Sequence, residues 1–120
     1  MCNSELRSFE RRLRDFQARG TQVVAISVDS PEESLRLSRS QGYTFPILSD
    51  PRAETIRAYG ILHEHGGEGG RDIARPAEFL LDQTGTIRWV NLAKTVLARL
   101  RPETVLQVID EMPRAQSTMR

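Results

Sequence analysis

The chain has one side chain that becomes a strong nucleophile by losing a proton near neutral pH: Cys2, its only cysteine. It stands in Cys2-Asn3-Ser4-Glu5-Leu6, directly ahead of a run with helical periodicity. With Cys2 or Asn3 at the N-cap, the sulfur faces backbone N–H groups that have no intrahelical acceptor, at the positive end of the helix dipole. Both effects favour the thiolate and can lower a thiol pKa below about 8.5. Glu5, three residues on, can close back on the helix start as a capping box. On position alone, an incidental cysteine at a frayed terminus is the competing reading. Other reactive side chains are sparse. His63 and His65 flank Glu64, but a metal site needs further ligands and no other His or Cys is near in sequence, so no metal is expected. The glycines at 66, 67, 69 and 70 do not stand between a strand and a helix in a phosphate-loop spacing, so no nucleotide cofactor is expected. Asp29 and Glu32 read as turn and cap residues, and Trp89, alternating with Ile87, as packing.

These residues need elements to hold them. Leu6, Phe9, Leu13 and Phe16 recur at spacings of three and four, which predicts one amphipathic helix over 3–19, ended by Gly20. Glu10 with Arg14, and Asp15 with Arg19, are favourable i,i+4 pairs on its outer face. The continuous apolar run from Val23 to Val28 predicts a strand buried on both faces. Ser30-Pro31-Glu32-Glu33 is a helix start with a capping box, and Gly42 ends that helix. Residues 43–48 read as a second strand, with Pro46 arguing for an edge or a strand terminus. Asp50-Pro51 opens a short helix that stops at Gly60, and 61–74 read as a loop. Residues 78–82 and 86–91 form an antiparallel hairpin around Asp82-Gln83-Thr84-Gly85. A final helix runs from Pro102 to about Met112, with a disordered tail over 113–120.

The sum is an α/β sandwich in one domain, residues 1–112. It opens on a helix, although in a parallel arrangement that helix is a crossover leaving a preceding strand. Losing such a strand from the centre of a sheet leaves the backbone groups of two neighbours unpaired. The composition excludes some function classes. With 17 basic and 16 acidic residues the net charge is +1, which removes the electrostatic drive expected of a nucleic-acid binder. No apolar run approaches the roughly 20 residues of a membrane helix, and no signal peptide is visible. A single cysteine makes a reducing, cytoplasmic setting the expectation.

Several segments, in order, resemble the peroxiredoxin branch of the redoxin superfamily (alkyl hydroperoxide reductase and thiol-specific antioxidant). Cys2-Asn3-Ser4-Glu5-Leu6 resembles the Cys-x-x-Glu segment that opens the catalytic helix. Val23 to Glu32 resembles the strand and turn that follow. Phe45-Pro46-Ile47-Leu48-Ser49-Asp50-Pro51 resembles F-P-L-L-S-D-P, and Ala58-Tyr59-Gly60 the A-Y-G ending the next helix. Arg75-Pro76-Ala77-Glu78-Phe79-Leu80-Leu81-Asp82 with Gly85-Thr86-Ile87-Arg88 resembles R-P-A-T-F-L-I-D…G-x-I-R. The similarity covers roughly residues 2 to 112.

The resemblance implies a thioredoxin-like α/β sandwich, with a mixed sheet and a C-terminal antiparallel hairpin but lacking the strand that normally precedes the catalytic helix. It implies a thiol-dependent peroxidase acting through a cysteine sulfenic acid, without a cofactor. Cys2 matches the peroxide-attacking cysteine. Arg75 matches the arginine that stabilises the thiolate and polarises the peroxide, although it stands four residues before Phe79 where the family pattern has three. Pro76 resembles the cis-proline facing the active cysteine in thioredoxins. The implied partners are a peroxide substrate and a thioredoxin-like or small-thiol reductant, with a homodimer compatible. The upstream Pro and Thr or Ser of the family motif are absent, so the chain is expected to be truncated at its N-terminus, with Met1 an internal residue of a longer protein and any resolving cysteine upstream. The alternatives are a thioredoxin-like disulfide oxidoreductase, which needs that upstream cysteine, and a non-catalytic thioredoxin-fold module.

Overall fold

The structure, a computed structural model, describes residues 3–74, 76–92 and 101–112. The single helix expected over 3–19 is two: α1 (Asn3–Arg11) and α2 (Leu13–Ala18), with Arg12 between them at φ −104° and ψ 10°. At this joint Arg12 N–H donates to Phe9 O at 3.2 Å and Asp15 N–H to Arg12 O at 3.0 Å, both i→i+3 bonds that tighten the turn. The joint divides the apolar stripe between two clusters. Leu6 and Leu13 pack with Tyr43 and Phe45, whereas Phe16 packs with residues of the last helix. The expected ion pairs also rearrange. Glu10 accepts from the backbone N–H (2.7 Å) and hydroxyl (2.8 Å) of Thr44, and Asp15 pairs with Arg12 at 2.6 Å.

β1 is short, Ala25–Ser27, and runs parallel to β2 (Ile47–Ser49), with Ala25 opposite Ile47 and Ser27 opposite Ser49. The strand expected to be buried on both faces is only partly covered. Val23 and Ala25 face the α1 cluster, Ile26 and Val28 pack towards Ile56, and Val24 is 48% exposed. Between the two strands lies α3 (Pro31–Gln41). Its start is as expected: Ser30 Oγ accepts from Glu33 N–H, Glu33 closes back on Ser30 N–H at 3.0 Å, and Gly42 ends the helix at φ 71°. A hydroxyl pair, Ser34 Oγ to Ser49 Oγ at 3.0 Å, joins α3 to β2.

α4 (Glu54–Ala58) starts later than Asp50-Pro51 suggests, because Asp50 acts from outside it. Its two carboxylate oxygens accept from Glu54 N–H (3.0 Å) and Ile56 N–H (2.9 Å). The segment expected to be a plain loop contains a small antiparallel pair, β3 (Leu62–His63) and β4 (Ile73–Ala74), which packs on the Val28–Ala53–Ile56 cluster. Burying Leu62 and Ile73 on that cluster supplies what the glycine-rich composition hides.

The C-terminal hairpin is present: β5 (Ala77–Leu81) and β6 (Ile87–Leu92) are antiparallel, with an irregularity at Leu80/Leu81. Asp82 organises its turn. Its carboxylate accepts from Thr84 Oγ1 (2.6 Å), Thr84 N–H (2.9 Å), Thr86 N–H (3.1 Å) and Arg88 Nε (2.7 Å). Hydrogen bonds, that from the Thr84 hydroxyl foremost, hold this carboxyl well below the usual range. α5 (Pro102–Glu111) closes the fold, with Val105 and Leu106 buried against Phe16 and with Trp89 packed alongside. Among the described residues the parallel pair β1–β2 and the hairpin β5–β6 share no ladder, so β1 and β5 each have one strand edge without a hydrogen-bonded neighbour. No helix of the described residues is long and apolar enough to cross a membrane.

Candidate active site

Two of the four expected site residues, Cys2 and Arg75, lie outside the described residues, as does the tail over 113–120. The other two are among the described residues, one on α1 and one just ahead of β5. α1 begins at Asn3, so Cys2 is the chain neighbour of the helix start. Glu5 lies in the first turn of α1, half-buried, beside buried Leu6. Pro76 immediately precedes β5 and is half-buried. The Arg75–Pro76 peptide lies outside the described residues with Arg75.

The strand after Pro76 brings in a residue that the sequence reading passed over. Glu78 sits on β5 opposite Asn91 of β6, on the same strand face as buried Leu80. Ala77 and Phe79 point to the other face, where Phe79 meets Tyr59 edge-on at 4.8 Å. Asn91 Nδ2 donates to Glu78 Oε1 at 3.4 Å, and Glu78 Oε2 is buried with no hydrogen-bond partner. Burial pushes the carboxyl of Glu78 up to about 7, and the negative charge of Glu5 pushes the same way. Burial likewise pushes Glu5 up to about 7. The first turn of α1 and the start of β5 therefore hold two carboxyl groups that both retain protons far above the ordinary glutamate range.

This has a consequence for stability. Both groups bind protons more tightly in the folded chain than in the unfolded one, where the value is 4.5. Their stabilisation is complete below about pH 4.5 and is lost as the pH rises towards 7. After allowing for their partial exposure, the pair is expected to account for roughly 1–2 kcal/mol between pH 5 and pH 7.5. Asp82, Asp110 and Glu33 are shifted downward, so their contributions change only at lower pH and leave this window clear. Urea midpoints at the two pH values measure the effect. The double variant Glu5→Gln/Glu78→Gln should flatten the slope, and an equal slope in the variant would assign it to other groups.

The remaining candidates fall elsewhere. His63 Nδ1 is buried without a partner, and Gly66 packs so closely that a Cβ there would lie 2.4 Å from that nitrogen, so this histidine is part of a tight turn. His65 is exposed, with Nδ1 3.0 Å from Gly70 O. Among the described residues no group of three His, Cys, Asp or Glu is arranged to hold a metal ion. Asp29 lies 3.5 Å from Arg71, whose guanidinium also donates to Val28 O at 2.8 Å. That arginine borders a cleft of about 400 Å³ with Arg52, Ala53, Arg57 and His65. A second depression, about 450 Å³, lies between α3 and β2 and includes Ser34, Leu35 and Leu48. Neither contains Glu5, Pro76 or Glu78.

The geometry can be set against known proteins. Among solved structures, a reduced peroxiredoxin from Vibrio vulnificus superposes with a TM-score of 0.82 at 18% identity, over 91% of this chain and 71% of that one. The mitochondrial 2-Cys peroxiredoxin of Plasmodium falciparum gives 0.78 at 22% identity, over 92% and 66%. The fold is thus the thioredoxin-like α/β fold of these proteins. By sequence, a peroxiredoxin of Aeropyrum pernix is 31% identical over 126 aligned positions, covering 100% of this chain and 48% of the relative. Alkyl hydroperoxide reductase E of Mycobacterium tuberculosis is 32% identical over 94, covering 77% and 58%. The chain spans about half the length of the curated relatives it matches. The AhpC/TSA family model matches residues 1–90, a stretch that runs from the segment around Cys2 through β5, which bears Glu78, and into β6. The order of motifs, the fold and this match agree, and the chain belongs to the AhpC/TSA family.

Proposed function

We propose that this chain carries the nucleophilic centre of a thiol peroxidase. The thiolate of Cys2 attacks one oxygen of a hydroperoxide. The O–O electron pair leaves with the other oxygen, which takes up a proton to give water or an alcohol, and the sulfur becomes a sulfenic acid. In this reading Arg75 holds the thiolate and the polarised peroxide, while Glu5 and Pro76 shape the site around them. A second thiol then condenses with the sulfenic acid, releasing water, and a thioredoxin-like or small-thiol donor reduces the resulting disulfide.

The observation that carries this reading is the family match over residues 1–90, which includes all four of these positions. It is tested by mixing the reduced chain with hydrogen peroxide or an organic hydroperoxide in the presence of a dimedone-type trap. Peroxide loss and a single adduct at Cys2 are expected. Neither peroxide loss nor an adduct would end the reading in favour of a non-catalytic module of the same fold.

A further inference from the structure

The cleft of about 400 Å³ beside α4 gathers positive charge from two segments of the chain. Residues 51–57 bring Arg52 and Arg57 to it, and residues 65–72 bring His65, Arg71 and Asp72. One apolar cluster ties the two segments together: Ala53 and Ile56 are buried in it, and Leu62 and Ile73 pack against them. Three arginines and one aspartate leave the lining with a formal excess of two positive charges when His65 is neutral. Asp72 is engaged, since its Oδ1 accepts from His65 N–H at 2.9 Å. Arg71 is held in place by its 2.8 Å bond to Val28 O, with Asp29 3.5 Å away. Arg52 and Arg57 differ from it. Both are exposed, and among the described residues neither side chain has an ion pair or a hydrogen bond. The backbone is also unusual here. Among the described residues, Ala53 (φ 56°) and His65 (φ 57°) are the two non-glycine residues in the left-handed region, and both line this cleft. Such strain persists only where its surroundings impose it, and it gathers at ligand sites.

We propose that this cleft binds the phosphate group of a small phosphate monoester, with Arg52 and Arg57 as the two free guanidinium forks and Arg71 as a fixed third charge. A planar guanidinium presents paired N–H donors that match two phosphate oxygens, and the excess of two positive charges offsets a phosphate dianion. Because Arg52 and Arg57 have no partner to give up, no internal ion pair has to break before the anion enters. The volume lies within the range of small-molecule sites, which begins at about 300 Å³. Val28, Pro51 and Ala53 supply only a small apolar wall, which suits a ligand dominated by its charge. The argument uses no residue of the proposed thiol site, so it stands or falls separately from the peroxidase.

The test titrates the full chain with inorganic phosphate and with glycerol 3-phosphate at low salt, above the second phosphate pKa of about 6–7, and follows nitrogen-15 amide shifts. Saturable shifts grouped at Ala53, His65, Gly70 and Arg71 are expected, and added salt should weaken the binding. Glycerol 3-phosphate should compete with inorganic phosphate for the one site. Arg52→Gln/Arg57→Gln is expected to bind at least about tenfold more weakly. Arg14→Gln/Arg39→Gln, which removes the same charge from exposed positions on α2 and α3, should bind like the parent. Arg52→Lys/Arg57→Lys keeps the charge without the fork; it should bind more weakly than the parent and serves if the glutamine variant loses its fold by circular dichroism. Shifts that do not saturate, or equal losses in the two glutamine variants, would reduce the effect to diffuse attraction and overturn the inference. So would acetate acting on the same amides as strongly as phosphate, or phosphate binding that glycerol 3-phosphate cannot displace.

Discussion

Replacing Cys2 by serine is expected to abolish peroxide consumption, by at least about a thousandfold. The argument is one of available nucleophile. A thiol with a pKa near or below 8.5 is partly or largely anionic at neutral pH, whereas a serine hydroxyl is almost wholly protonated there and has no base assigned to it in this site. No other residue can take over, because Cys2 is the only cysteine in the chain. The same fact predicts the kinetics of the parent. Without added thiol it should consume about one equivalent of peroxide and stop at the sulfenic acid. With an external dithiol it should turn over continuously. Equal rates in Cys2→Ser and parent, both folded by circular dichroism, would assign any peroxide loss to something other than this thiol.

The elements whose sequence signals are local were legible. Ser30-Pro31-Glu32-Glu33 fixes a helix start within four residues, and the structure forms both bonds of its capping box. Asp82 to Gly85 fixes the hairpin by turn chemistry, and in the structure Asp82 accepts bonds from Thr84 and Thr86 across that turn. What was not legible depends on partners distant in the chain. The stripe of Leu6, Phe9, Leu13 and Phe16 is compatible with one straight helix. It breaks at Arg12 because Leu13 is needed in the cluster with Tyr43 and Phe45, while Phe16 is needed beside Val105 and Leu106. The β3–β4 pair was missed because its two strands have only two residues each, too few for alternation to register. Val24 reads as buried in a run of β-branched residues but is exposed, since a period-2 signal says which face a residue occupies and not whether that face is covered.

The site divides the same way. Glu5 was singled out as a candidate by its spacing to Cys2, and Pro76 as a candidate by the resemblance of the segment before β5. Glu78 was not singled out, because a glutamate in a hairpin is ordinarily solvent-facing. A signal was present in Ala77-Glu78-Phe79-Leu80, where Glu78 shares a strand face with Leu80. Period 2 therefore placed a carboxyl on the face that Leu80 must bury, and burial of that face is what raises its proton affinity.

Substituting Phe16 by alanine is expected to be the most damaging single change in the described core, costing about 3–5 kcal/mol. Phe16 is 1% exposed and stacks on Phe9 with ring centroids 5.6 Å apart. It also joins α2 to Val105 and Leu106 of α5 and shares their cluster with Trp89 of the hairpin. Its removal opens a cavity where helix and hairpin meet. Among the described residues, the polar links from this region to α5 include Arg12–Glu103 at 2.7 Å and Arg19–Asp110 at 2.7 Å, both partly exposed ion pairs of the kind that contributes at most about 1 kcal/mol. Against a total stability of about 5–15 kcal/mol, the loss takes a large fraction, so α5 should become protease-sensitive before the rest of the chain. Thermal or urea denaturation measures the first effect and limited proteolysis the second. Leu35→Ala, at a side chain 50% exposed, is the control and should change stability by less than about 1 kcal/mol. Comparable losses in the two variants would show that the cluster around Phe16 does not hold α5 and the hairpin together.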